Sequence, residues 1–95
     1  MAIRLSASVQ TKLNDKHGGV TLEEIKECFA NRDGEYLYDT RPEHLTSPIT
    51  RWFISETNKG RRLKICFIHT GGDTFIKTAF EPNQTEIKLY EDKQP

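Results

Sequence analysis

Apolar residues make up only 35% of this 95-residue chain. No apolar run approaches the ~18–20 residues of a bilayer-spanning helix, and the first residues lack the apolar core of a secretory signal. A cytoplasmic protein is therefore expected. Cysteine is scarce. Cys28 and Cys66 fall in a predicted helix and a predicted strand, and in a reducing compartment they read as two free buried thiols rather than a disulfide. Three histidines, His17, His44 and His69, share no ligand spacing with the cysteines, so no metal site is expected. Gly18-Gly19 and Gly71-Gly72 lack the strand–glycine–helix context and the Lys-Ser/Thr pair of a phosphate loop, and read as turns. Neither cysteine is arranged with a histidine as a nucleophile needs, and no cofactor is expected. Formal net charge is zero, which removes long-range attraction to nucleic acid as a driving force.

What the chain does have is concentrated between Thr50 and Phe80. Three segments rich in β-branched and aromatic residues, 50–57, 61–69 and 74–80, are separated by Asn58-Lys59-Gly60 and Thr70-Gly71-Gly72-Asp73. Glycine-bearing turns between such segments predict consecutive antiparallel hairpins. Before them, Leu5, Val9 and Leu13 recur every fourth residue, which puts them on one helix face. Ser6 or Ser8 can cap this helix, and Gly18-Gly19 ends it. Thr21 and Glu24 form a capping box, with Val20 and Ile25 as a hydrophobic staple, and the second helix runs to about Asn31. Residues 35–39 predict a short edge strand, and 40–48, with two prolines, a loop that can cover part of the sheet. Asn83 and Glu86 repeat the capping pattern for a short C-terminal helix whose apolar edge is Ile87 and Tyr90. The expected architecture is a single α+β domain over residues 1–95. In it, two N-terminal helices and a short C-terminal helix pack on one face of a four-stranded antiparallel sheet.

Alternation along the strands sorts the side chains. Leu63, Ile65, Phe67, Ile76 and Phe80 are assigned to the helix side, and Arg62, Lys64 and Lys77 to an open face. Trp52-Phe53-Ile54 is apolar on both sides and leaves the first strand unassigned. Residues 51–80 hold six basic groups against two acidic, whereas both flanks are acidic on balance. Arginine can clamp a phosphate through two donors and lysine acts as a point charge. Strand-borne Arg61, Arg62, Lys64 and Lys77 therefore suit stabilisation of a pentavalent phosphate. His17, Glu81, Glu86 and Tyr90 are candidate acid–base groups from the covering segments. Each has a plainer reading: His17 as a helix C-terminal charge, Tyr90 as a packing residue with a wet hydroxyl. Arg61 and Arg62 fall on opposite phases, so one site can use both only if a bulge or turn intervenes.

The order of motifs resembles BrnT-type toxins. Lys16-His17-Gly18-Gly19-Val20-Thr21-Leu22-Glu23-Glu24 is similar to their Lys-His-Gly-Val/Ile-Ser-x-Glu-Glu opening, with one additional glycine. Arg51-Trp52-Phe53-Ile54, Gly60-Arg61-Arg62-Leu63-Lys64-Ile65, Ile76-Lys77-Thr78-Ala79 and Glu86-Ile87-Lys88-Leu89-Tyr90 follow in the family's order, across about residues 10–91. The resemblance implies a fold related to the RelE ribonucleases, metal-independent cleavage of RNA, and inhibition by a cognate antitoxin protein. It implies His17, Arg61, Lys64, Lys77, Glu86 and Tyr90 as catalytic candidates and Lys16 as a substrate contact; the basic surplus of residues 51–80 adds Arg51 and Arg62 as substrate contacts. Similar sequences also carry the label ADP-ribosyl-dinitrogen-reductase hydrolase, which implies a large helical enzyme with an acidic metal site; a hairpin-rich chain of this length cannot supply that architecture.

Two other readings remain open from sequence. One is a non-catalytic module that docks a protein partner through Tyr38, Trp52 and Phe53. The other is a degenerate toxin that keeps only its partner surface. Self-association as a homodimer is left open.

Overall fold

A computed structural model describes residues 2–15 and 19–94. Its strands are β1 (Ala2–Arg4), β2 (Leu37–Tyr38), β3 (Arg51–Glu56), β4 (Arg62–Thr70) and β5 (Asp73–Phe80). Its helices are α1 (Ala7–Asn14), α2 (Leu22–Asn31) and α3 (Gln84–Asp92), with one 3-10 turn at Pro42–His44. The strands form one mixed sheet in the order β1-β5-β4-β3-β2. The chain is α+β as expected, but the sheet has five strands rather than four. The fifth, β1, pairs in parallel with β5, from Ala2 opposite Asp73 to Arg4 opposite Phe75.

The helices start where the caps place them. The Ser6 hydroxyl accepts from the Val9 N–H. Complete capping boxes open α2 at Thr21–Glu24 and α3 at Asn83–Glu86. Each satisfies two of the donors that a helix N-terminus otherwise leaves unpaired. At the hairpins, Gly60, Gly71 and Gly72 take φ of 83°, 60° and 81°, a region that side-chain-bearing residues rarely enter.

The C-terminal helix corrects the expected layering. Phe53 pairs with Ile65 and Trp52 with Cys66, so Phe53 and Trp52 point to opposite sides of the sheet. Phe29 of α2 meets Phe53 and Phe67 with ring centroids 4.8 and 5.4 Å away. Tyr90 of α3 meets Trp52 at 5.5 Å. The sheet is therefore sandwiched, with α2 on one face and α3 on the other. Phe53 is fully buried, and Trp52 and Ile54 are 7% and 8% exposed beneath α3. The apolar run at 52–54 is apolar on both sides because both sides are covered.

A bulge corrects the facing of β5. Cys66 lies opposite Thr78 and Phe67 opposite Ile76, which leaves Lys77 as an extra residue in β5. A bulge of one residue reverses the side-chain phase beyond it. Thr74 and Ile76 point into the α2 side, and after the bulge so does Ala79, which is fully buried opposite Ile65. Phe80 lies opposite Lys64 on the α3 side, not under the N-terminal helices.

Candidate functional site

The expected basic set divides into two groups. Arg61 belongs to the scaffold. Its Nη1 donates to both oxygens of Glu24 at 3.1 and 3.0 Å and to the Gly19 carbonyl at 2.7 Å, and Nη2 donates to Glu81 at 3.2 Å. The guanidinium thus ties the start of α2 to the segment joining β5 and α3. Burial pushes the Glu24 carboxyl up, but the Thr21 N–H and Arg61 outweigh it and the carboxyl titrates below its usual range. Arg62 turns the other way, to Glu56 at 3.6 Å. Arg61 precedes the first residue of β4, so the two adjacent arginines serve separate places.

The second group lies on the α3 side of the sheet. Lys64 is held at 3.0 Å from Glu86 Oε2, and its side chain is only 13% exposed. The ammonium also sits 4.5 Å from the Trp52 ring centroid and 5.6 Å from that of Phe80, within range of cation–π attraction. Glu86 has two duties, since its Oε1 accepts from the Asn83 N–H at 3.0 Å and so opens α3. Burial raises its carboxyl, but the Asn83 N–H, Lys64 and Arg41 prevail and hold it below the usual carboxylate range. The exposed Lys77, at the bulge, reaches across β4 to donate to Thr50 Oγ1 at 3.4 Å. Thr50 is buried and also meets Thr46 Oγ1 at 3.1 Å, which folds the 40–48 loop back on this face.

Sequence reasoning missed Arg41. It is anchored by Asp39 through Nε at 2.9 Å and Nη2 at 2.8 Å. Its charge bears on both Cys66 and Glu86. The Cys66 thiol is pushed up by burial, with Lys64 and Arg41 offsetting only part of the effect. No sequence signal marked Arg41, because a loop gives no periodicity from which to infer a face.

Tyr90 is on the same helix but engaged elsewhere. Its hydroxyl donates to the Glu35 carbonyl at 2.9 Å, and burial raises its pKa. Gly34 lies against it: a Cβ at that position would stand 2.5 Å from the Tyr90 hydroxyl. Arg51 projects over the exposed Tyr38 ring at 5.3 Å, away from Lys64. Lys16 and His17, with Gly18, lie outside the described residues. Among the described residues no group of three or more His, Cys, Asp or Glu side chains can hold a metal ion, and no helix is long and apolar enough to cross a membrane. Both cysteines are free thiols.

In chemical terms, Lys64 is paired with Glu86 on the α3 side of the sheet, Arg41 is paired with Asp39, and Lys77 reaches Thr50. An anion that displaces Glu86 meets the Lys64 ammonium over the Trp52 ring. Compared with known proteins, the chain matches no family model, no curated protein and no solved structure.

Proposed function

We propose that the chain is a toxin-like, metal-independent RNA endonuclease that receives its substrate on the α3 side of the sheet. The observation that carries this reading is the enclosed Lys64–Glu86 pair on that face, with Lys77 reaching the face at Thr50 and the charge of Arg41 bearing on Glu86. Lys77 and Arg41 hold the scissile phosphate, and Lys64 stabilises charge that develops on it. This stabilisation is largest where water is excluded, and Lys64 is mostly enclosed. Glu86, kept ionised, accepts the proton of the 2′-hydroxyl as its oxygen bonds to phosphorus; the P–O5′ bond breaks, leaving a 2′,3′-cyclic phosphate, and the departing 5′-oxygen takes a proton from water. Substrate binding must first draw Lys64 and Glu86 apart. Arg61 is removed from the catalytic candidates, because it already holds two carboxylates and a carbonyl. The partner in this reading is a cognate antitoxin protein.

The test is incubation of purified protein with free RNA and with translating ribosomes, followed by mapping of cut sites. Cleavage is expected, with loss of at least a hundredfold in Lys64→Ala plus Lys77→Ala at unchanged secondary structure. Intact RNA in every condition, or cleavage that survives the double variant, overturns the reading.

A different observation favours a second reading, a non-catalytic protein-binding module. Arg61, Arg62 and Lys64 each already hold a carboxylate, so little cationic surface is free for a phosphate backbone. Growth arrest on expression, relieved by a partner protein, separates the first reading from this one.

A further inference from the structure

Helix α3 divides its side of the molecule into two surfaces of opposite sign. Glu86 faces the cationic cluster. On the other flank, Ile87, Tyr90, Glu91 and Gln94 border an open groove of about 1010 Å³. Its far wall is the segment from Asn31 to Glu35, and its floor is the outer part of β3. The groove exists because β2 is short. It pairs only Arg51 and Trp52, so among the described residues β3 from Phe53 onward has no strand neighbour on that side. An unpaired edge of this kind invites another chain. Here side chains shield it: Asn31 Nδ2 donates to the Glu56 carbonyl at 3.0 Å and to Asn58 Oδ1 at 2.9 Å.

The charge on the groove is one-sided. Among the described residues, Asp33, Glu35, Glu56 and Glu91 line it against Arg62, and Arg32 reaches its wall at the Gly34 carbonyl. Glu56 is paired with Arg62. Among the described residues none of Asp33, Glu35 and Glu91 is in an ion pair. This contrasts with the cationic flank, where Lys64 and Arg41 each hold a carboxylate. The lining is more polar than apolar: Ile54 and Tyr90 lie buried beneath it, and the partly buried Ile87 supplies apolar surface.

We propose that this groove docks a lysine- and arginine-rich, amphipathic segment of a partner protein. Charge complementarity names the occupant: a basic segment places an apolar side chain against Ile87 and its cations on the three unpaired carboxylates. From Ile54 to Thr57 the groove accommodates roughly four extended residues, about 13 Å at ~3.3 Å each. An RNA backbone is repelled by the same carboxylates. The inference is independent of the endonuclease reading, since it uses the other flank of α3.

The experiment titrates the full chain into a fluorescein-labelled 12-residue peptide of Lys, Arg and Leu, and measures anisotropy. Saturable binding is expected, weakening as salt is raised. Asp33→Asn, Glu35→Gln and Glu91→Gln together should weaken it at least tenfold. Neutralising three exposed carboxylates that do not line the groove, Asp15→Asn, Glu23→Gln and Glu43→Gln, should change it less than twofold. Lys64→Ala plus Lys77→Ala should leave it unaltered whether or not RNA is cut. The groove and control triples are surface substitutions, whereas Lys64 is mostly enclosed; circular dichroism and a cooperative thermal transition confirm that each variant is folded. The proposal is overturned if the groove and control triples lose affinity alike, or if a peptide with Glu for every Lys and Arg binds equally well. Competition by a 12-nucleotide RNA, or concentration-dependent dimerisation that the groove triple abolishes, assigns the groove to another occupant and overturns it too.

Discussion

Replacing Arg61 by alanine separates a clamp from a substrate ligand. The side chain reaches three acceptors on two segments, and their worth differs with exposure. Glu81 is 62% exposed, so that contact adds at most about 0.5 kcal/mol. Glu24 and Arg61 are 24% and 23% exposed, and their two-oxygen contact is worth about 1–2 kcal/mol, between the surface and buried limits. Losing the donor to the Gly19 carbonyl costs about 1 kcal/mol more. Arg61→Ala should therefore destabilise by about 2–3.5 kcal/mol. For a domain of this size that is a fall of roughly 8–28 °C in Tm. Arg61→Lys keeps the charge but loses the forked geometry and should recover about half. Thermal unfolding followed by circular dichroism measures the loss. A double-mutant cycle with Glu24→Ala should give a coupling of about 1 kcal/mol or more. A variant that melts within about 1 °C of the parent yet no longer processes RNA would falsify the clamp and return Arg61 to the substrate site.

Stability should also fall in acid. The Glu24 and Glu86 carboxyls both titrate below the ordinary glutamate range; a group depressed in the folded state contributes fully above its unfolded pKa and loses that contribution as pH falls through the folded one. Urea midpoints should thus be flat from pH 7 to about 5 and drop below about 4.5, and Glu86→Gln should shallow the drop. Gly34→Ala should destabilise by about 1–3 kcal/mol, because the new methyl displaces the Tyr90 hydroxyl and Gln94; pairing it with Tyr90→Phe in denaturant titrations should recover part of the loss. Thr21→Ala should cost about 1 kcal/mol through the α2 cap, read by the same titrations. Burial pushes the Cys28 thiol up to about 12 and raises Cys66 as well, so a thiol reagent at pH 8 should label both slowly in the native protein and at once in denaturant. Rapid native labelling of Cys28 contradicts its burial.

The elements that sequence made legible are those with local chemistry. Ser6, Thr21–Glu24 and Asn83–Glu86 mark helix starts by side-chain hydrogen bonds that need only three or four neighbouring residues. The hairpins are marked by glycines that the turns demand. What sequence hid depends on distant partners. Strand β1 is three residues long and becomes a strand only by pairing with β5. Lys77 forms a bulge without glycine, so alternation placed Phe80 with the core. The apolar edge of α3 fits either sheet face, and only the apolar run at 52–54 hinted that both faces were covered. For the site, Lys64, Lys77 and Glu86 were picked out and share one side of the sheet, whereas the sequence could not reveal that Arg61 was already bound to two carboxylates.

The parallel pairing of β1 with β5 also sets the order in which this chain can fold. Ala2 meets Asp73 across 71 residues, while β3, β4 and β5 meet through turns of a few residues. The hairpins repay their loop-closure entropy early, and the β1 contact must wait until the rest is in place. The sheet therefore closes from its centre outward, with Ile3 and Arg4 among the last residues to dock. The same edge should be the first to open, and in native-state hydrogen exchange its amides should lose protection well before those of Ile65 and Phe67.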